Sequence, residues 1–232
     1  MVATKADVTV EARVVPAGAF EMGDADGRGD EQPVHEVYIS AFRAALCPVT
    51  NEEYARFLTE TGHEPPRFFD DARFNAARQP VVGVSWHDAV AYCGWLAART
   101  GERWRLPTEA EREKAARGGV AGARYPWGDD AGPNGGAFGQ DALRPVGLSA
   151  PNGYGLFDMG YNVHEWCSDW YGEDYYARSP KRDPKGPASG RRRASRGGAW
   201  RHQIKVSRCA ARSSLDPSFR YNDYGFRVYR DA

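Results

Sequence analysis

Apolar residues in this chain come in short bursts, and the period of the bursts changes along the sequence. Residues 12–22, ARVVPAGAFEM, read as a strand, a Pro-Ala-Gly turn and a second short strand. The polar GDADGRGDEQP that follows is a loop, and VHEVYISAF over 34–42 is a further strand with His35 inside it as a core or hydrogen-bonding residue. The period then becomes helical three times, each time behind the same device. Thr50 and Glu53 precede Tyr54, Phe57 and Leu58, with Gly62 as the stop; Ser85 and Asp88 precede Ala89, Tyr92, Cys93 and Leu96, stopped by Gly101. Thr108 and Glu111 open the third helix, and Gly118-Gly119 ends it. In such a capping box, hydroxyl and carboxylate close amides that the first turn leaves open, so Glu53, Asp88 and Glu111 are assigned to helix starts and not to catalysis.

From Tyr125 onward no period is sustained. Residues 172–193 form a second polar loop, and short strands return around Arg193–Trp200 and Gly225–Arg230. Between them, Pro151–Tyr171 (PNGYGLFDMGYNVHEWCSDWY) mixes Trp, Tyr, Gly, Asn and acidic residues in a way that suits neither a plain helix nor a plain strand; it reads as a coordinating turn under an aromatic core. A chain with so much irregular backbone places ligand contacts on its loops.

Composition alters this picture in two respects. Seven Trp, twelve Tyr and ten Phe make the core aromatic, and buried indoles and phenols call for backbone partners. The 31 basic residues balance 31 acidic ones, which speaks against a nucleic-acid or membrane-surface binder. The run Arg191-Arg192-Arg193 lies in a Pro/Gly/Ser-rich stretch and reads as a solvated loop. With no long apolar segment and no signal-like start, the expected location is cytoplasmic. Cys47, Cys93, Cys167 and Cys209 are widely spaced and read as free thiols.

Eight motifs then occur in a telling order: PVTNEEYARFL, VSWHDAVAYC, RLPTEAEREKAARGG, PWG, PNGYGLFDMGYNVHEWCSDWY, RGGAW, RCAARSS and GFRV. In this order the chain resembles the formylglycine-generating enzymes, the sulfatase-modifying-factor family. The likeness covers roughly residues 12–230, and the expected organisation is an N-terminal extension, 1–11, before a single domain, 12–232. The resemblance implies an α+β, loop-rich, C-type-lectin-like fold with calcium sites. It also implies oxidation of a cysteine in a sulfatase peptide by copper held between two cysteines. The corresponding stretch here, Ala199–Arg208, contains no cysteine, and soft Cu(I) needs thiolates, so no copper is expected. Ala199 stands where the family has serine, His164 where it has tryptophan and Asp223 where it has asparagine. The family's secreted disulfides would pair Cys93 with the position of Val228 and Cys209 with that of about Ala116, so each has lost one half.

By the same resemblance, one structural calcium falls to the side chains of Asp158 and Glu165 with the carbonyls of Tyr161 and Val163, and a second to Asn134, Gly135 and Asp141. Trp200, His202, Arg212, Tyr221, Asn222 and Asp223 fall at pocket positions, with Arg212 open between a pocket role and a buried ion pair. The expected function is a binding module that takes a peptide, glycan or protein partner through this C-terminal pocket. The alternative is a metal-dependent oxidoreductase in which His164, His202 and Asp223 hold the metal. A third reading, a binding protein diversified at its C-terminus, is weakened because residues 200–224 are not dense in Tyr and Asn.

Overall fold

All three capping boxes close in the computed structural model, which describes residues 8–129 and 142–232. They start α1 (Asn51–Thr61), α2 (Trp86–Thr100) and α3 (Glu109–Arg117), and each helix ends on a left-handed glycine, Gly62, Gly101 or Gly118. α1 and α2 meet through stacked Tyr54 and Tyr92 rings 5.6 Å apart, with Phe57 and Phe226 edge-on. These rings belong to the largest hydrophobic cluster among the described residues, which also takes in Trp166 and Leu96.

α3 departs from what its sequence suggests. Glu-Ala-Glu-Arg-Glu-Lys-Ala-Ala-Arg looks like a solvent-facing helix, yet all nine residues are buried. Charges survive there because each has a partner. Glu113 takes Arg117 at 2.7 Å as well as Arg196, and the Lys114 ammonium donates to the carbonyls of Pro16 (2.7 Å) and Gly18 (2.8 Å).

Among the described residues the strands form three small sheets. β1 (Ala12–Val15) pairs antiparallel with β4 (Phe42–Ala45), which pairs in turn with β9 (Tyr229–Asp231). β2 (Gly18–Met22) and β3 (His35–Ile39) make a two-stranded ribbon. The stretch read as one strand over 34–42 is thus two, broken at Ser40-Ala41, and the halves serve different sheets. Ser40 turns the chain by holding Asp183 through its amide (2.7 Å) and hydroxyl (2.8 Å). Val8 and Val10, in the expected extension, pack against the aromatic cluster.

The third sheet corrects the reading of Pro151–Tyr171. Its second half is strand β5 (His164–Trp170), inside a sheet ordered β7 (Arg212–Leu215), β6 (Arg193–Arg196), β5 and β8 (Tyr224–Gly225). The polar and aromatic mixture fits a buried strand because its groups find partners: the Trp166 indole donates to the Val84 carbonyl at 3.1 Å and Ser168 to Pro107 at 3.1 Å. Arg193 is likewise no solvated loop residue. Its guanidinium lies between the rings of Trp86 and Trp170, 3.8 and 3.5 Å from their centroids, and donates to the Ser168 carbonyl at 2.7 Å.

Candidate functional site

At one end of the four-stranded sheet, three separate segments converge. β5 begins at His164, whose amide donates to the Asp223 carbonyl at 2.8 Å where β8 runs parallel to it. Strand pairing alone therefore sets His164 beside Asp223. The third segment leaves β6 through Gly197 and Gly198. Gly197 has a φ of 81°, and a Cβ on Gly198 would stand 2.3 Å from Ser207 Oγ and 2.8 Å from the Gly160 carbonyl, so the turn needs glycine at both positions. Trp200 then pins this segment to the other two: its amide donates to the Asn162 carbonyl (3.0 Å) and its indole to the Asn222 carbonyl (3.1 Å). His202 follows, its amide closing a turn onto Ala199 at 2.9 Å.

The result brings together the three residues that the sequence singled out as a metal-ligand set. His164 Nε2 lies 2.9 Å from His202 Nδ1, and His202 Nε2 lies 3.4 Å from Asp223 Oδ2. One ligand atom from each lies within 4.8 Å of the others. His164 and Asp223 are buried and His202 is half-buried. Burial, helped by the neighbouring His202, pushes the His164 imidazole down to about 3. Burial also lowers His202, against the opposing pull of Asp223. Both rings are therefore neutral near neutral pH, each with a lone pair to offer. Asp223 Oδ2 accepts from Arg201 Nε at 3.0 Å, while Oδ1 is buried without a partner among the described residues.

A cleft of about 410 Å³ opens beside this cluster, lined by His164, Gly197, Arg201, His202 and Lys205; Asp223 is not part of its lining. Arg201 and Lys205 were not singled out by sequence, where they read only as part of the stretch without cysteine. Arg212 also lines the cleft, but its guanidinium forks onto Glu109 at 2.7 and 2.8 Å, so the buried ion pair is its main tie. Trp200 instead turns toward Phe74, ring centroids 5.9 Å apart, in a small apolar cluster with Val82 and Leu143. Tyr221 is exposed against Phe219, and Asn222 contributes its backbone carbonyl to Trp200; none of these three lines the cleft.

None of the four cysteines lines the cleft either, and all are free. Burial pushes the thiols of Cys93 and Cys209 up to about 12 and that of Cys47 to about 11, so these groups stay protonated. Cys93 shares its core cluster with Val228, and Cys209 shares its own with Ala116, so apolar packing occupies the places of the two absent bridges.

The residues expected to hold calcium are placed apart in their bonding. Asp158, at a φ of 58°, accepts from the Gly147 amide (2.7 Å) and the Ser149 hydroxyl (3.2 Å). Glu165 is fully buried and takes Arg112 Nε at 2.7 Å and Arg227 Nη2 at 2.9 Å. Tyr161 and Val163 lie buried in the turn between Asp158 and Glu165. Asn134, Gly135 and Asp141 fall outside the described residues.

Three short helices, small sheets and long ordered loops define a loop-rich α+β fold of the C-type-lectin-like kind. The chain belongs to the formylglycine-generating-enzyme family: residues 2–232 match the sulfatase-modifying factor enzyme 1-like domain. It is 37% identical to the formylglycine-generating enzyme of Streptomyces coelicolor, over 94% of this chain and 88% of that protein. It is 32% identical to the inactive C-alpha-formylglycine-generating enzyme 2 of Bos taurus, over 70% of this chain and 72% of that one. The serine/threonine-protein kinase pkn1 of Chlamydia pneumoniae is 38% identical over 97% of this chain, which spans only 38% of the kinase's length. Among solved structures, PvdO from Pseudomonas aeruginosa superposes with a TM-score of 0.82 and 31% identity, covering 99% of this chain and 100% of that one. Treponema denticola variable protein 1 superposes with a TM-score of 0.84 and 26% identity, covering 95% of each chain.

Proposed function

We infer that this chain is a formylglycine-generating-enzyme-like domain that binds a peptide, glycan or protein ligand in the cleft beside His164, and that it does not make formylglycine with a copper-bound cysteine pair. The observation that carries this reading is the lining of the cleft: imidazoles, Arg201 and Lys205 stand there, and no thiol does. Cationic groups in a partly apolar lining suit a ligand that carries an anionic or strongly hydrogen-bonding group. The bovine relative named as inactive supports the idea that the family's fold persists without its oxidase chemistry.

Two measurements test the reading. Incubated with Cu(I), oxygen and a cysteine-containing sulfatase peptide, the protein is expected to yield no formylglycine by mass spectrometry. On peptide and glycan arrays, ligands retained by the wild type are expected to be lost by the double variant Arg201→Glu, Lys205→Glu. Copper-dependent formylglycine formation, or array binding that the double variant leaves intact, overturns it.

A further inference from the structure

The cleft holds more than a polar lining. We propose that His164 Nε2, one ring nitrogen of His202 and the Asp223 carboxylate bind a divalent transition-metal ion, Fe²⁺ or its Co²⁺, Ni²⁺ and Zn²⁺ analogues. Two imidazoles and one carboxylate form a donor set that suits these ions and disfavours Ca²⁺ and Mg²⁺, which select all-oxygen surroundings. Donors on a single ion, each roughly 2.0–2.2 Å from it, stand about 3–3.5 Å apart. One ligand atom from each residue lies within 4.8 Å of the others, and His164 Nε2 already stands 2.9 Å from His202 Nδ1, so a modest side-chain adjustment brings the three donors to that spacing.

The hydrogen bonds present without an ion leave two buried atoms unserved. If Asp223 accepts from His202 and His202 accepts from His164, then His164 Nδ1 and Asp223 Oδ1 are left without hydrogen-bond partners among the described residues, as both are here. Burying such atoms unpaired costs about 1–3 kcal/mol each. An ion resolves both. His164 then carries its proton on Nδ1 and turns the Nε2 lone pair to the metal, while Asp223 Oδ1 becomes available as a ligand. Ring packing already fixes His164, whose centroid lies 5.0 Å from that of Tyr224, itself 4.9 Å from Trp166. Arg201 balances the Asp223 charge in the meantime. Its side chain is 43% exposed, so it can swing into the cleft as the ion arrives.

Of the three donors His164 and His202 line the cleft and Asp223 is buried, so the coordination positions that the protein leaves open would face the cleft. What fills them rests on the ligand-binding reading above: an anionic oxygen donor, flanked by Arg201 and Lys205. Metal binding itself does not rest on it. The test uses the full chain, stripped with EDTA and titrated with Co²⁺ alone, followed by visible d–d absorption and by displacement with Zn²⁺. One equivalent is expected to bind, with affinity falling at least about tenfold in His202→Ala and in Asp223→Ala. Arg201→Ala keeps all three donors and loses the competing cation, so it is expected to bind as tightly as the wild type or more so. Thermal melts confirm that each variant is folded. Failure to saturate at one equivalent, or equal binding by the His202 and Asp223 variants, overturns the proposal; so does an Arg201 variant that weakens binding as much as Asp223→Ala. Arrays run in EDTA report on the cleft without the ion, so either proposal can fail while the other stands.

Discussion

Asp169 is a carboxyl held where water barely reaches it, at 3% exposure. One of its oxygens accepts from the Glu109 amide at 3.0 Å at the start of α3 and lies 3.0 Å from Ser168 Oγ, whose own proton goes to Pro107. Burial, with the Glu109 charge second, pushes its pKa up to about 8. Unfolded, the same group titrates near 4. Between those values the native state keeps a proton that the unfolded chain has released, so stability falls as pH rises through that window, by up to roughly 1.4 kcal/mol per unit. Asp169→Asn removes the titration. It is expected to match the wild type at pH 4 and to exceed it at pH 8 in urea denaturation; a variant equally or less stable at pH 8 would show Asp169 to be ionised in the fold. At this scale the sequence was informative about residue type and poor on direction. His164, His202 and Asp223 were legible because they are ligand-type residues at pocket positions. Trp200 and Asn222 are neighbours of those positions, yet one indole-to-carbonyl bond turns them to each other and away from the cleft, and no local pattern records that.

Helices were the most legible elements, because a capping box is local: its hydroxyl, carboxylate and amides all lie within four residues. At α2, Ser85 Oγ accepts from the Asp88 amide at 3.1 Å and donates to Asp88 Oδ2 at 2.7 Å. Ser85→Ala is expected to lower unfolding free energy by about 1 kcal/mol. Asp88→Ala is expected to lose distinctly more, because the same carboxylate also holds Arg220 at 2.9 and 3.0 Å and His63 at 2.9 Å. Equal losses in urea melts would mean that those distant contacts add nothing to the cap. Strands were harder, for the opposite reason. β5 is made by what lies across from it, Arg196 on one side and Gly225 on the other, and its own residues do not alternate. The break at Ser40 depends on Asp183, 143 residues away in sequence, so the stretch VHEVYISAF gave no sign of it. α3 shows the same limit: a polar helix reads as a surface one unless its partners are known.

Those partners tie the molecule together. Glu165, in the middle of the four-stranded sheet, holds Arg112 from α3 and Arg227 from the segment leading into β9. Arg227 in turn donates to the carbonyls of Ala45 (3.0 Å), Leu46 (2.6 Å) and Phe157 (2.7 Å). One carboxylate thus couples the sheet that carries His164 to α3, to the end of β4 and to the turn before β5. Arg227 keeps its charge when buried, because Glu165 offsets the effect of burial; Glu165 in turn is held below the usual carboxylate range, the two arginines outweighing the effect of burial. Removing one member of such a group leaves buried charge uncompensated, which costs about 3–5 kcal/mol. Glu165→Gln is therefore expected to lower unfolding free energy by that order, with the loss spread over the whole fold and not confined to one element. Since the carboxylate serves guanidinium groups, added calcium is expected to shift the melting temperature of the wild type and of the variant by the same amount. A calcium-dependent rise in the wild type that Glu165→Gln abolishes would instead make Glu165 a calcium ligand, and the two arginines would then have to part from it when the ion binds.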